Sequence, residues 1–198
     1  ESRFDLAYNA AHALCLAELA DRSDNPHALY LLGVISNEHG AYVKGAELLK
    51  KALEGGDEPR AHAQLARALS HLHRPNEARE AAERALASGA SDAHTLDTIG
   101  VVLSRAGLHE QALEPFSRAI AQTPDNASFQ FNYAASLQFS GRFAEAEAAY
   151  RRAFALDDTA FRALAAIPHL RKQTSVDNLV DELTQAFTRT ADATHRLH

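Results

Sequence analysis

Residues 93–126 read AHTLDTIGVVLSRAGLHEQALEPFSRAIAQTPDN. The first half sets Leu96, Ile99, Gly100 and Leu103 at i, i+3, i+4 and i+7, one apolar stripe of a helix. Gly107 then supplies a residue able to take a positive φ, which ends that helix. A second helix follows, with Ala112, Phe116 and Ala119 on one face, until Pro124 stops it. Asp125 or Asn126 is placed to cap the helix that comes next. Small side chains at Gly100, Ala112 and Ala119 let two helices approach, and Phe116 fills the space between them.

The same classes of residue return 34 positions on, as Tyr133-Ala134, Gly141, Ala146, Tyr150, Ala153 and Asp158. They stand 34 positions back as Leu65-Ala66, His73, Ala78, Ala82 and Ala85, and a further 33 back as Leu32-Gly33, Gly40, Gly45, Leu49 and Ala52. Four consecutive repeats follow, over 26–58, 59–92, 93–126 and 127–160. The pattern resembles the tetratricopeptide repeat family, a helix–turn–helix of about 34 residues with small residues at its eighth, twentieth and twenty-seventh positions. That resemblance implies an all-α fold, a right-handed α-solenoid (superhelix) of about eleven or twelve stacked helices. Three departures stand out. His73 occupies the turn position held elsewhere by Gly40, Gly107 and Gly141, which puts a non-glycine at a left-handed φ. Gly45 replaces the alanine of a second helix, at roughly 0.5–1 kcal/mol of helix stability. Pro115 removes one backbone donor inside another second helix and is expected to kink it.

Composition agrees with helices. Of the 198 residues 41 are alanine and 25 leucine, against 9 glycines and 6 prolines, and the first two are strong helix formers. Lys and Arg number 20 and Asp and Glu 26, a formal charge of −6, which argues against a general nucleic-acid or anionic-membrane binder. The lone cysteine, Cys15, allows no intramolecular disulfide and suits an intracellular, cytoplasmic setting. No apolar run approaches the roughly 18 residues of a membrane span. The chain opens on Glu1 and holds no methionine, so it is expected to be a piece of a longer protein.

Outside the four repeats the register loosens. Residues 3–20 form a long amphipathic helix in which Ala11 and Cys15 fall where a preceding repeat has its second-helix small and large residues. Residues 1–24 are therefore expected to be half a repeat that caps the array, with Asn25-Pro26 opening the first full one. Within 161–198, Phe161, Leu164 and Ala165 begin another first helix that Pro168 ends or bends. Thr174 or Ser175 then caps a last helix whose stripe is Val176, Leu179, Val180, Leu183 and Phe187, covering the last full repeat. The runs 13–33 and 164–183 also look like the repeat region of bacterial proteins that join these repeats to a sulfotransferase domain. That second resemblance implies a non-catalytic arm presenting or recognising a protein substrate. No strand, glycine-rich loop and helix of a phosphosulfate site occur in the sequence.

Candidate chemistry is sparse. His71 and His73 bracket a turn at i, i+2 with His62 nine residues earlier, where a helical metal site wants i+3 or i+4 spacing. They are read as solvated turn histidines. Cys15 lies among Ala13, Leu14, Leu16 and Ala17 and reads as a small buried hydrophobe. Glu77, Glu80, Glu83, Glu145 and Glu147 fall on outer faces of second helices, with i+4 partners such as Glu80–Arg84 and Glu147–Arg151. No metal, cofactor or catalytic constellation emerges, and the chain is read as a non-enzyme.

What remains is the inner face. First helices line the concave surface of such a solenoid, and their second, fifth, ninth and twelfth positions look inward. Those residues are His27, Tyr30, Val34 and Asn37; Arg60, Ala63, Arg67 and Ser70; His94, Asp97, Val101 and Ser104; and Ser128, Phe131, Ala135 and Gln138, flanked by His71, Arg105 and Phe139. Relatives that grip a chaperone's C-terminal carboxylate use Lys and Asn at fixed groove positions, held here by Tyr30, Val34, His94 and Thr98, so that clamp is missing. The candidate partner-binding residues are Tyr30, Asn37, Arg60, Arg67, His71, His94, Asp97, Arg105, Phe131, Gln138 and Phe139. Tyr30 and Phe131 are either interface anchors or packing between neighbouring repeats. Arg60, Arg67 and Arg105 predict a peptide or protein ligand with acidic, phosphate or sulfate groups.

Overall fold

A computed structural model describes residues 3–157, 159, 161–170, 179, 180, 184, 185 and 188. Its helices are α1 (Arg3–Asp21), α2 (Pro26–Glu38), α3 (Tyr42–Glu54), α4 (Pro59–His71), α5 (Pro75–Ala87), α6 (Ala93–Arg105), α7 (His109–Gln122), α8 (Ala127–Phe139), α9 (Phe143–Leu156) and α10 (Phe161–Ala166), the last followed by a 3₁₀ turn at Ile167–His169. Among the described residues there is no β-strand. The chain divides into two compact bodies, Glu1–Leu108 and His109–His198. In the N-terminal body the first helices α2, α4 and α6 are neighbours, and α3 and α5 each pack on the first helices either side of them in sequence. In the C-terminal body α8 packs on α7 and α9, and α10 on α9.

Helix starts follow from capping chemistry. Asn25 accepts from the amides of His27 and Ala28, Asp92 from Thr95 and Asn126 from Phe129. Pro26, Pro59 and Pro75 sit at first-turn positions, where the missing N–H removes no helical bond. The turns inside the repeats close identically four times. Gly40, His73, Gly107 and Gly141 take φ of 73°, 57°, 80° and 76°. Their amides bond the third carbonyl back, and those of Ala41, Arg74, Leu108 and Arg142 bond Ser36, Leu69, Leu103 and Leu137, at 2.8–3.0 Å. This pair of bonds is the Schellman ending, which satisfies carbonyls a helix terminus leaves bare. The left-handed backbone expected of His73 is thus present.

The small positions do what the repeat asks. Gly33, Ala66, Gly100 and Ala134, then Gly45, Ala78, Ala112 and Ala146, then Ala52, Ala85, Ala119 and Ala153 are all buried. A Cβ on Gly33 would stand 2.6 Å from Leu49 Cγ, so here the glycine is what lets the two helices of the first repeat meet. Pro115 lies buried within α7, which runs on through it.

At the N-terminus Cys15 packs with Ala28 and Leu32 of α2, and burial, then the Glu18 carboxylate, push its thiol pKa up. Leu14, however, read as part of the apolar face of this helix, is 68% exposed, so the amphipathic reading fails at that residue. Among the described residues α1 packs on α2, and Leu48 of α3 reaches the same cluster. At the other end α10 stops before Pro168 as expected. Most of the last helix expected from 174 lies outside the described residues. Leu179 is buried with Leu164, Ile167 and Leu170, whereas Val180, counted in the same stripe, is exposed.

Candidate functional site

In the N-terminal body the candidate residues separate into two places. Arg60 opens α4 and sets its guanidinium 5.7 Å from the centre of the Tyr30 ring, while its Nε donates to Glu58 at 2.8 Å. Tyr30 is half-buried; that burial raises its phenol pKa, and the Arg60 charge beside it works the other way. The two residues border a cavity of about 310 Å³ with Pro26, His27 and Ala61.

Two helical turns further along α4, roughly 10 Å away, Arg67, Ser70 and His71 face Asp97, Thr98, Val101 and Arg105 of α6 across a cavity of about 220 Å³. Arg67 reaches back to α2 and donates from Nη1 to Glu38 Oε1 at 2.6 Å. Arg105 Nη1 lies 3.1 Å from His71 Nε2. A guanidinium only donates, so that ring nitrogen carries a lone pair and His71 is neutral in this arrangement. Burial, then Arg105, Arg67 and His73, hold the His71 pKa below the ordinary histidine range. Tyr42 of α3 stacks on the other side of the imidazole, 4.1 Å between centroids. A second cavity, of about 460 Å³, opens beside the pair and is lined by Ser70, His71, His73, Pro75, Ala78, Val102 and Arg105. His94 lies exposed in the first turn of α6, apart from these cavities.

Asn37 is a correction. It is 1% exposed and belongs to the packing between helices, not to an open face. Its amide donates to the Gln64 carbonyl of α4 at 3.0 Å, and its Oδ1 sits where a Cβ on Gly45 would be, 2.2 Å away. The glycine that looked like a weakness of α3 makes the room that lets Asn37 tie the first repeat to the second. Ala63, also counted as inward, is 1% exposed.

In the C-terminal body Phe131 and Gln138 are engaged by neighbours. The Phe131 ring meets Tyr150 edge-on at 5.5 Å, and Arg162 of α10 stands 5.3 Å over it. Gln138 Oε1 accepts from the Tyr150 hydroxyl at 2.9 Å. Phe139 is 69% exposed and stacks on His109 at 4.7 Å.

Sequence reading missed Tyr42, Glu38 and Arg162, although repeat arithmetic holds a signal for each. Tyr42 and His109 are both seventeenth in their repeats, and each stacks on the thirteenth residue of the next, His71 or Phe139. Arg60 and Arg162 stand second and cover the fifth residue of the repeat before, Tyr30 or Phe131. His62 is the other miss. It is buried, not solvated, bonding the Asp57 carboxylate through Nε2 and leaving Nδ1 without a partner. Among the described residues no three His, Cys, Asp or Glu side chains are placed to hold a metal, and no helix is long and apolar enough to cross a membrane. On the outer faces Glu147–Arg151 forms at 3.1 Å, while on α5 the pair made is Arg79–Glu83.

The tetratricopeptide repeat family model matches residues 8–62, 63–127 and 98–160. Among solved structures the chain is similar to YrrB, described as a TPR protein with an unusual peptide-binding site. The identity is 22%, the match covers 81% of this chain and 83% of YrrB, and the TM-score is 0.64. MamA from Desulfovibrio magneticus RS-1 is 14% identical over 87% of this chain and 97% of its own, with a TM-score of 0.68. A thermophilic TPR protein of Thermus thermophilus is 20% identical over 84% and 92%, at 0.64. Likeness at these identities speaks for the fold. No curated protein matches the chain.

Proposed function

Because the chain belongs to the tetratricopeptide repeat family, we propose that it is a non-catalytic binding scaffold whose first helices hold a segment of another protein. The observation that carries this is the cavity between α4 and α6, where Arg67, Ser70, His71, Asp97, Thr98 and Arg105 present polar groups around Val101 and Val102. A row of hydrogen-bonding groups with an apolar floor suits an extended peptide, which brings backbone amides and carbonyls together with side chains. The peptide-binding site in the description of YrrB supports the reading by analogy of fold. Around the cavity between α4 and α6 two guanidinium groups, Arg67 and Arg105, stand against one lining carboxylate, Asp97, so we expect the segment to be acidic. Phe139, exposed in the C-terminal body, is a further anchor candidate.

Peptide-display selection against the full chain, with backbone-amide mapping of the selected peptides, tests this. The expected footprint falls on α4 and α6 and is lost in Arg67→Ala/Arg105→Ala. A footprint on the outer faces of α3 and α5 that survives the double substitution overturns it. The alternative, a sulfotransferase's non-catalytic arm, rests on the two terminal runs alone, and no feature of the fold favours it.

A further inference from the structure

Arg105 stands out among the arginines of the N-terminal body for the partner it keeps. Arg60, Arg67, Arg74 and Arg79 all meet carboxylates within their own body, those of Glu58, Glu38, Glu77 and Glu83. Arg105 instead donates to the ring nitrogen of a histidine. That contact places a cation against a base that would itself become a cation on protonation, and a second guanidinium, Arg67, lines the same cavity. Glu38 answers the charge of Arg67 and Asp97 lines the first cavity, so what distinguishes Arg105, where the two cavities adjoin, is that its Nη1 meets an imidazole and not a carboxylate.

We propose that Arg67, His71 and Arg105 form a tetrahedral-oxyanion site, taking a phosphoryl or sulfuryl group, with His71 gaining a proton as the anion enters. The inference rests on reading α4 and α6 as the face on which a partner lies. The Ser70 hydroxyl adds a donor at the rim shared by both cavities. The donor geometry favours a tetrahedral oxyanion over a carboxylate. The Arg105 fork, the edge of Arg67 that Glu38 leaves open, an imidazolium and a hydroxyl supply donors from α4 and α6, more than the in-plane lone pairs of one carboxylate take up.

The exchange balances simply. The Nη1–H of Arg105 leaves the ring and turns to an anion oxygen. Nε2 of His71 takes one proton from solvent and becomes a donor to the same group. The groups facing His71 decide the sign. Tyr42 of α3 stacks on it, Arg67 shares its helix, His73 follows in the turn, and α6 brings Arg105 and Asp97, while α5 shows it Pro75 and Ala78. Glu38 already engages one edge of Arg67. Burial, then the cations, opposes protonation in the free protein, and a bound dianion offsets the cations. Affinity therefore rises as pH falls below the ordinary histidine range, and binding takes up a proton.

The experiment follows the imidazole carbon-bound protons of His71 by NMR across pH in the full chain, with sodium sulfate against sodium chloride at equal ionic strength. Sulfate stays doubly charged over this range, so any pH dependence belongs to the protein. We expect sulfate to raise the His71 midpoint by about one pH unit, the scale of one new opposite charge nearby. Arg105→Gln should abolish that rise, Arg105→Lys should keep part of it, and Arg84→Gln on α5 should behave as wild type. A midpoint that sulfate does not move, or moves equally in wild type and Arg105→Gln, overturns the site. A phosphoserine peptide compared with its serine twin, and inorganic phosphate alone, then separate the sources. Preference for the phosphopeptide assigns the oxyanion to a partner chain, and an equal response to free phosphate assigns a small anion. Should the selected peptides map elsewhere while sulfate still moves His71, the binding-face reading fails and the anion site stands.

Discussion

The ring of Tyr42 lies flat on that of His71, with 4.1 Å between centroids and 5° between planes. The contact joins the start of one repeat's second helix to the end of the next repeat's first. His109 and Phe139 reproduce it in the C-terminal body at 4.7 Å and 18°. An aromatic stack thus recurs at one pair of repeat positions with the chemistry of its two members exchanged.

Replacing Tyr42 with leucine removes the stack and opens one side of His71. Aromatic pairs contribute about 0.5–1.5 kcal/mol beyond the area they bury, so a loss near 1 kcal/mol is expected on urea denaturation. The same substitution hydrates the imidazole and moves the His71 pKa back up toward its ordinary value. An unchanged titration would show that the ring does not set the histidine's surroundings.

The depressed pKa of His71 makes stability depend on pH in a defined direction. The unfolded chain protonates this group near pH 6.5, and the folded chain does so only at lower pH. Its contribution is complete above about pH 6.5 and is lost as pH falls through the folded value. Comparing wild type with His71→Gln between pH 7.5 and 5 should show a steeper decline for wild type. Parallel curves would contradict the assignment.

Gly45→Ala brings a methyl group to 2.2 Å from Asn37 Oδ1, a clash in a buried setting. Overpacking of this kind costs typically 1–3 kcal/mol. Asn37→Ala alone loses the bond to the Gln64 carbonyl. The double variant should be more stable than the sum of the two losses predicts, because the second change removes the obstacle met by the first. Additive losses would show that the side chains do not compete for the same space.

His73 holds a left-handed backbone at φ 57°, where its counterparts are glycines. His73→Gly should raise stability by up to about 1 kcal/mol. Gly107→Ala should lower it by a similar amount, and a Cβ there would meet no atom within 4 Å, so the cost is purely conformational. Thermal melts of both variants check the opposite signs.

The fold was legible because its decisions are local. A turn glycine, a capping Asn or Asp and small residues on facing helices each act within a few positions, and the period of 34 multiplies the signal. The candidate site was legible only in part. Asn37 sits at a position that faces the groove in an average repeat, yet it is drawn inward by the missing side chain of Gly45 and a carbonyl 27 residues away. Arg67 was read as an inward charge turned toward a ligand, but Glu38, 29 residues earlier, holds it. His62 read as solvated because its burial depends on neighbouring helices. Tyr30 and Phe131 each carry a guanidinium from the following repeat, a pairing that needs the stagger between repeats and not only their register.

The four turns that close with the same two bonds bear on the speed of folding. Each bond joins amide and carbonyl no more than five residues apart, so a helical hairpin can seal its turn before any other repeat is in place. Little chain entropy is spent on closing loops of that size, and short-range contacts of this kind go with fast folding. The turn at His73 is the weak link of the series, for it must enter a left-handed conformation without glycine's freedom. The hairpin of α4 and α5 is accordingly the slowest of the four to nucleate and the first to fray.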